Sequence, residues 1–151
     1  MQGPPDAATA LYHEKRFAEA TQALLQHLAA HPDNFPSRLL LGLCHQQAGD
    51  NGKAEAVFQE AARLRPGNVE ARFYLARVEY LLKKFREAEQ DARLSIKLGG
   101  DTARAYNLVG LILAEQNRND EALRAYEAAK GFPEADLHAG EIGRASCRER
   151  V

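Results

Sequence analysis

The chain has 151 residues, 45% hydrophobic and 27% charged, with a formal net charge of −1. That is enough for one ordinary domain core, and it leaves no net field to attract nucleic acid or an anionic membrane, so neither is expected as a partner. The longest apolar run, around Leu39 to Cys44, is far too short to cross a bilayer, so no membrane insertion is expected. The opening stretch MQGPPDAAT has no basic flank followed by an apolar segment, which argues against a secretory signal and favours the cytoplasm. Cys44 and Cys147 offer no metal or redox spacing.

In chain order, Pro4-Pro5 followed by Asp6 predicts a short first helix over 6–14, with Asp6 as its N-cap. Amphipathic spacing then predicts helices over 17–30, 35–48, 51–64, 69–82, 85–97, 103–116 and 119–130. Pro32 and Pro66 lie 34 residues apart; the same step lands on Gly100 and then one residue past Pro133, and all four end helices. Ala20, Ala54, Ala88 and Ala122 recur at that spacing, and so do Ala8, Gly42, Ala76 and Gly110 twelve residues earlier in each unit. The turn-like pairs Lys15-Arg16, Gly49-Asp50, Lys83-Lys84 and Asn117-Arg118 keep the same step.

Two small residues per unit let two antiparallel helices approach closely. Leu41, Leu75 and Val109 on the first helices, and Leu24, Phe58 and Tyr126 on the second, fill the volume around them. A single helix of this length cannot bury its own stripe, so units must stack on their neighbours. The repeat divides the chain into units 1–34, 35–68, 69–102 and 103–133, followed by the start of a truncated further helix over 134–140. Without a polar capping helix, Leu123 and Tyr126 are expected to stay partly uncovered, and the C-terminal end to fray or self-associate. Residues 141–151, EIGRASCRERV, resemble a translated short-read sequencing adapter and are set aside as a non-native tail.

The small-residue columns, together with FAEA (17–20), FREA (85–88), NDEA (119–122), PDN (32–34) and PGN (66–68), resemble the tetratricopeptide repeat family over residues 1–133. The resemblance implies an all-α fold, a right-handed superhelical solenoid of antiparallel helix pairs. Some positions depart from the family pattern. Arg38 and Arg72 stand where a large apolar residue is usual, His45 and Glu79 fall in a normally apolar column, and Asn51 and Asn119 replace the turn aromatic seen as Phe17 and Phe85.

In that family the first helices line a concave groove that holds a peptide or helix of a partner protein. Carried onto this chain, the groove columns are Tyr12, Leu39, Leu43, Gln46, Glu70, Phe73, Arg77, Tyr80, Arg104, Asn107 and Leu111. Large apolar residues among Arg, Tyr, Gln and Asn are the usual look of a binding surface, and Phe73, Arg77 and Tyr80 are the expected hot spots. Curvature that packs these residues onto a neighbouring helix is the competing reading, strongest for Leu43. The subtype that clamps a C-terminal carboxylate is not expected, because its columns hold Pro5, Thr9, Leu40, Glu70 and Tyr74, or one unit later Leu39, Leu43, Tyr74, Arg104 and Leu108.

No catalytic constellation is expected, and no cofactor or metal. His27 and His31 lie four apart on one helix but lack a third ligand, and they suit a helix C-terminus as they are. Cys44 falls in an inward column beside His45, as a buried inert thiol. The acidic run Glu87, Glu89 and Asp91 reads as a solvated helix face. The sequence therefore points to a non-catalytic protein-interaction module. It leaves open a spacer segment within a longer repeat array, or an appendage of a larger enzyme.

Overall fold

The computed structural model describes residues 3–100 and 102–132. Among these residues it is all α: α1 (Asp6–His13), α2 (Phe17–Ala30), α3 (Phe35–Gln47), α4 (Asn51–Leu64), α5 (Val69–Leu81), α6 (Phe85–Lys97), α7 (Ala103–Glu115) and α8 (Asn119–Ala129). Each bound lies within one residue of the expected one. The further helix expected over 134–140 and the tail over 141–151 lie outside the described residues. No helix among the described residues is long and apolar enough to cross a membrane.

Three-residue turns join α1 to α2, α3 to α4, α5 to α6 and α7 to α8, so each pair is an antiparallel hairpin. The middle residue of every turn is left-handed: Lys15, Lys83 and Asn117 at φ 62° and Gly49 at 84°. The next residue donates its N–H five positions back, Arg16 to the Leu11 carbonyl at 2.9 Å and Asp50 to that of His45 at 2.8 Å; Lys84 and Arg118 do the same to Glu79 and Leu113. These bonds satisfy carbonyls that a helix end would otherwise leave open.

The first helices of the later hairpins start on a polar cap. The side chains of Asn34, Asn68 and Thr102 accept from the N–H groups of Ser37, Ala71 and Ala105 at 2.9, 2.9 and 3.2 Å. The first hairpin differs from the expectation. Asp6 is the first helical residue, and Pro5 occupies the cap position with no side-chain cap bond. Pro5 is locked at φ −55° and supplies a ready-made helix entry, while the Asp6 carboxylate lies in the first turn, where the helix dipole favours it.

The helices form two compact units, α1–α4 and α5–α8. In the first, consecutive helices pack around Ala8, Ala20, Leu24, Leu40, Leu41 and Cys44. In the second they pack around Ala76, Ala88, Ala92, Val109, Ile112, Leu113, Ala122 and Tyr126, and α5 also touches α7. Ala20, Ala54, Ala88 and Ala122 are all fully buried, as the close approach of paired helices requires.

Side-chain size is matched across each hairpin. A β-carbon built on Gly42 would stand 2.6 Å from Cζ of Phe58, and one on Gly110 would stand 2.6 Å from Cδ1 of Tyr126. Where the first helix carries Ala8 or Ala76 instead, the partner column holds the smaller Leu24 or Ala92. Each compact unit is thus one hairpin with alanine at the crossing followed by one with glycine. Tyr126 was expected to be partly uncovered. It is buried at 8% exposure because its ring fills the space over Gly110, whereas Leu123 remains 49% exposed.

Candidate functional site

In the first unit, Tyr12 on α1 is half-buried, its ring packed edge-on to Phe17 with centroids 5.6 Å apart. On α3, Leu43 is half-buried against the core, Gln46 is half-buried, and Leu39 is buried at 9% exposure. Leu39 therefore offers little surface to a partner. Its aliphatic branches serve the core.

The second unit gathers more. On α5, Glu70 is exposed, and Phe73, Arg77 and Tyr80 are half-buried; on α7, Arg104 is exposed, and Asn107 and Leu111 are half-buried. Phe73, Tyr80 and Leu111 each rest one side on the core. Tyr80 also leans on Phe85, with centroids 5.9 Å apart, in the same columns as Tyr12 and Phe17. This turn aromatic pair accompanies the alanine hairpins; where Asn51 and Asn119 replace the phenylalanine, Gln46 and Ala114 stand in the tyrosine column. The asparagines are thus half of a paired change.

The Arg104 guanidinium lies 4.7 Å above the centre of the Phe73 ring. Arg77 approaches the same ring at 5.9 Å and Tyr74 at 5.2 Å. Such stacking holds a guanidinium by the ring quadrupole, and that of Arg104 keeps its in-plane N–H groups without a partner among the described residues. Beside this cluster a recess of about 350 Å³ is lined by Val69, Glu70, Phe73, Tyr74, Ser95, Gly99, Gly100, Thr102 and Arg104. Two consecutive glycines of the α6–α7 link, Gly99 and Gly100, form part of its wall. Gly99 is left-handed at φ 105°, and Gly100 is packed so tightly that an added β-carbon would meet Val69 and stand 2.8 Å from the Ser95 carbonyl. Gly100 N–H donates to that carbonyl at 2.9 Å. Proline, its counterpart in the earlier hairpins, has no N–H to give.

Of the groove columns, then, Glu70, Phe73 and Arg104 line one recess, joined by Val69, Tyr74, Ser95 and Thr102, which sequence reasoning did not assign to it. Gly100 was read only as a helix stop and Gly99 was not singled out; the glycine pair was the available signal.

The acidic run on α6 differs from the expected solvated face. Glu87 is exposed, but the Glu89 and Asp91 side chains are only 16% exposed. Asp91 accepts from Arg72 at 3.0 Å; Glu89 accepts from Arg93 at 3.0 Å and from Arg118 at 2.8 Å. Arg118 also grips Glu121 at 2.7 Å, which holds that carboxyl below its usual range. Arg72 is thus accommodated in a normally apolar column by a carboxylate one helix away. Arg38 instead donates to the Pro32 carbonyl at 2.8 Å. Glu79 is buried and His45 half-buried, and burial lowers the His45 pKa.

Cys44 is fully buried, and burial raises its thiol to about 11, where a nucleophilic thiolate is scarce at neutral pH. The His27 and His31 rings lie 4.7 Å apart. No group of three His, Cys, Asp or Glu among the described residues is placed to hold a metal ion.

Profiles described as tetratricopeptide repeat match residues 45–112 and 103–135. Tetratricopeptide repeat protein 7B of Mus musculus is 34% identical over 89 residues, which is 58% of this chain and 11% of that protein. Protein O-mannosyl-transferase TMTC1 of Homo sapiens is 30% identical over 89 residues, 59% of this chain and 10% of that protein. The chain spans about a tenth of the length of these two curated relatives. Among solved structures, a crystal structure of MamA aligns with TM-score 0.81 at 21% identity, covering 97% of this chain and 91% of that one. The first TPR of Spaghetti (RPAP3) bound to HSP90 peptide SRMEEVD aligns with TM-score 0.65 at 22% identity, covering 72% and 86%. At such identities the likeness is one of fold.

Proposed function

The chain belongs to the tetratricopeptide repeat family, and from that premise we propose that it is a non-catalytic protein-interaction module that holds a peptide or helix of another protein along its first helices. The observation that carries this reading is the α5–α7 face. Its helices bury Leu75, Ala76 and Val78, and Val109, Ile112 and Leu113, on their inward sides. They nevertheless keep Phe73, Tyr80, Leu111 and the two arginines at or near the surface, beside an open recess. Aromatic and arginine side chains at a partly desolvated surface are the groups that dominate protein binding. The peptide seen on the first TPR of Spaghetti (RPAP3) supports the same kind of occupant here. Within the first unit, Tyr12, Leu43 and Gln46 are proposed as contacts of that unit's own first helices, with Leu39 as their support.

A photo-crosslinking residue at Asn107 tests this. Introduced into the chain in cells, it is expected to capture a partner that the same residue at Gln90 or Arg124, both exposed, does not. Equal capture from all three positions would remove the α5–α7 face from the reading.

A second reading draws on the small share of its relatives that the chain spans, one of them a named transferase: a spacer within a longer repeat array, or an appendage of a larger enzyme. Crosslinks from Asn107 that stay within one polypeptide would favour it. Self-association has its own foothold in Leu123, exposed on α8. A sedimentation profile that depends on concentration, and loses that dependence on Leu123→Glu, is its signature.

A further inference from the structure

We infer that the recess on the α5–α7 face takes an internal acidic side chain of the bound segment, an Asp or Glu flanked by an apolar residue, with the Arg104 guanidinium as its receptor. This rests on the proposed binding role of that face and specifies what is bound there.

Arg104 is held but not neutralised. Its guanidinium stacks on Phe73 at 4.7 Å, and it makes no ion pair or hydrogen bond with any of the described residues. Arg16, Arg63, Arg72, Arg93 and Arg118 each hold a carboxylate at 2.6 to 3.0 Å. An exposed guanidinium already oriented by a ring loses less freedom when it forms a two-bond fork with a carboxylate. The charged residues that line the recess are Glu70 and Arg104, and of the two only the Arg104 guanidinium can attract a carboxylate.

Three backbone donors at the recess are already engaged. The N–H groups of Gly99, Gly100 and Thr102 already donate to the Ile96, Ser95 and Gly100 carbonyls at 3.0, 2.9 and 2.9 Å. Those three groups are closed to an anion, and among the described lining residues the charged donor is the Arg104 side chain. A single fork suits one side-chain carboxylate. The adjoining volume, about 350 Å³ with Val69, Phe73 and Tyr74 in its wall, has room for the apolar neighbour.

The test is an NMR titration of the full chain with two probes, N-acetyl-Leu-Glu-Leu-amide and N-acetyl-Leu-Gln-Leu-amide, whose blocked ends remove any terminal carboxylate. The glutamate peptide is expected to shift the Arg104 side-chain N–H and the backbone amides of 69–74. It should bind at least tenfold more tightly than the glutamine peptide, and 1 M salt should erase that difference. Arg104→Gln, at an exposed position, abolishes the preference, and Arg104→Lys keeps part of it. Equal binding of both peptides on this face would overturn the acidic preference and leave the binding face standing. Shifts confined to other helices, or none at all, would overturn the inference, while capture from Asn107 decides the face separately.

Discussion

The Arg72 guanidinium on α5 donates to the Asp91 carboxylate on α6 at 3.0 Å, with both side chains mostly withdrawn from solvent. Partial desolvation strengthens the attraction and also raises the cost of leaving one partner alone. Arg72→Ala is expected to destabilise the protein by about 1 kcal/mol, between the values for exposed pairs and for charged bonds in a protein interior. Arg72→Leu with Asp91→Leu restores an apolar column, and its denaturation midpoint should return close to that of the parent. A double variant whose midpoint stays well below the parent's would show that the pair does more than fill space.

Gly42 beneath Phe58 gives the sharpest packing test. Gly42→Ala forces its methyl into the ring and should cost about 1–3 kcal/mol, as should Gly110→Ala beneath Tyr126. Phe58→Leu in the Gly42→Ala background recreates the Ala8–Leu24 combination and should recover part of the loss, a favourable coupling readable in a double-mutant cycle. Ala54→Leu, at a fully buried crossing, should cost about 1–3 kcal/mol with no such rescue. Additive effects of Gly42→Ala and Phe58→Leu would contradict the size match.

The left-handed turn residues carry removable strain. Lys15 and Lys83 hold φ 62° with a β-carbon present, so replacing either with glycine should stabilise the protein by about 1 kcal/mol. Asn117→Gly should gain less, since asparagine tolerates this region better. Urea midpoints that fall in the two lysine variants would refute the assignment of strain.

The polar caps can be tested one by one. Asn34→Ala, Asn68→Ala and Thr102→Ala each remove an acceptor from a first-turn N–H and should cost about 1 kcal/mol. Faster hydrogen exchange should appear at Ser37, Ala71 and Ala105 respectively, and at the other two sites it should not.

His45 supplies a pH test. Burial lowers its pKa from 6.5, opposed by Asp50 and assisted by Lys53. The unfolded chain therefore binds the proton more readily than the folded one. The stability contributed by keeping the ring neutral is complete above pH 6.5 and is lost as pH falls from there through the lower folded value. Between pH 7.5 and pH 5 the parent should lose more stability than His45→Gln. Identical pH slopes would exclude the histidine as the cause.

Helix positions were legible because small residues and helix stops recur in phase, and period is the strongest local signal a sequence carries. The caps were legible in principle, since Asn34, Asn68 and Thr102 keep the same step. Asp6 misled because a good capping residue followed a proline that had already set the entry. The ion pairs Asp91–Arg72 and Glu89–Arg118 join residues 19 and 29 positions apart, and no helical period reports on partners at such separations. The recess was hidden for a related reason. It is bounded in part by Gly99 and Gly100, and the α5, α6 and α7 residues that line it meet only once the hairpins have packed.

The match of glycine with ring and of alanine with a smaller partner also bears on how such a chain could be cut and rejoined. Grafting α4 behind α5 would drive Phe58 into the Ala76 methyl, and placing α6 behind α3 would leave a void between Gly42 and Ala92. The smallest piece that survives transplantation is therefore the hairpin. Shuffling at the boundaries between hairpins preserves every crossing, whereas a breakpoint inside one leaves offspring that collide or gape.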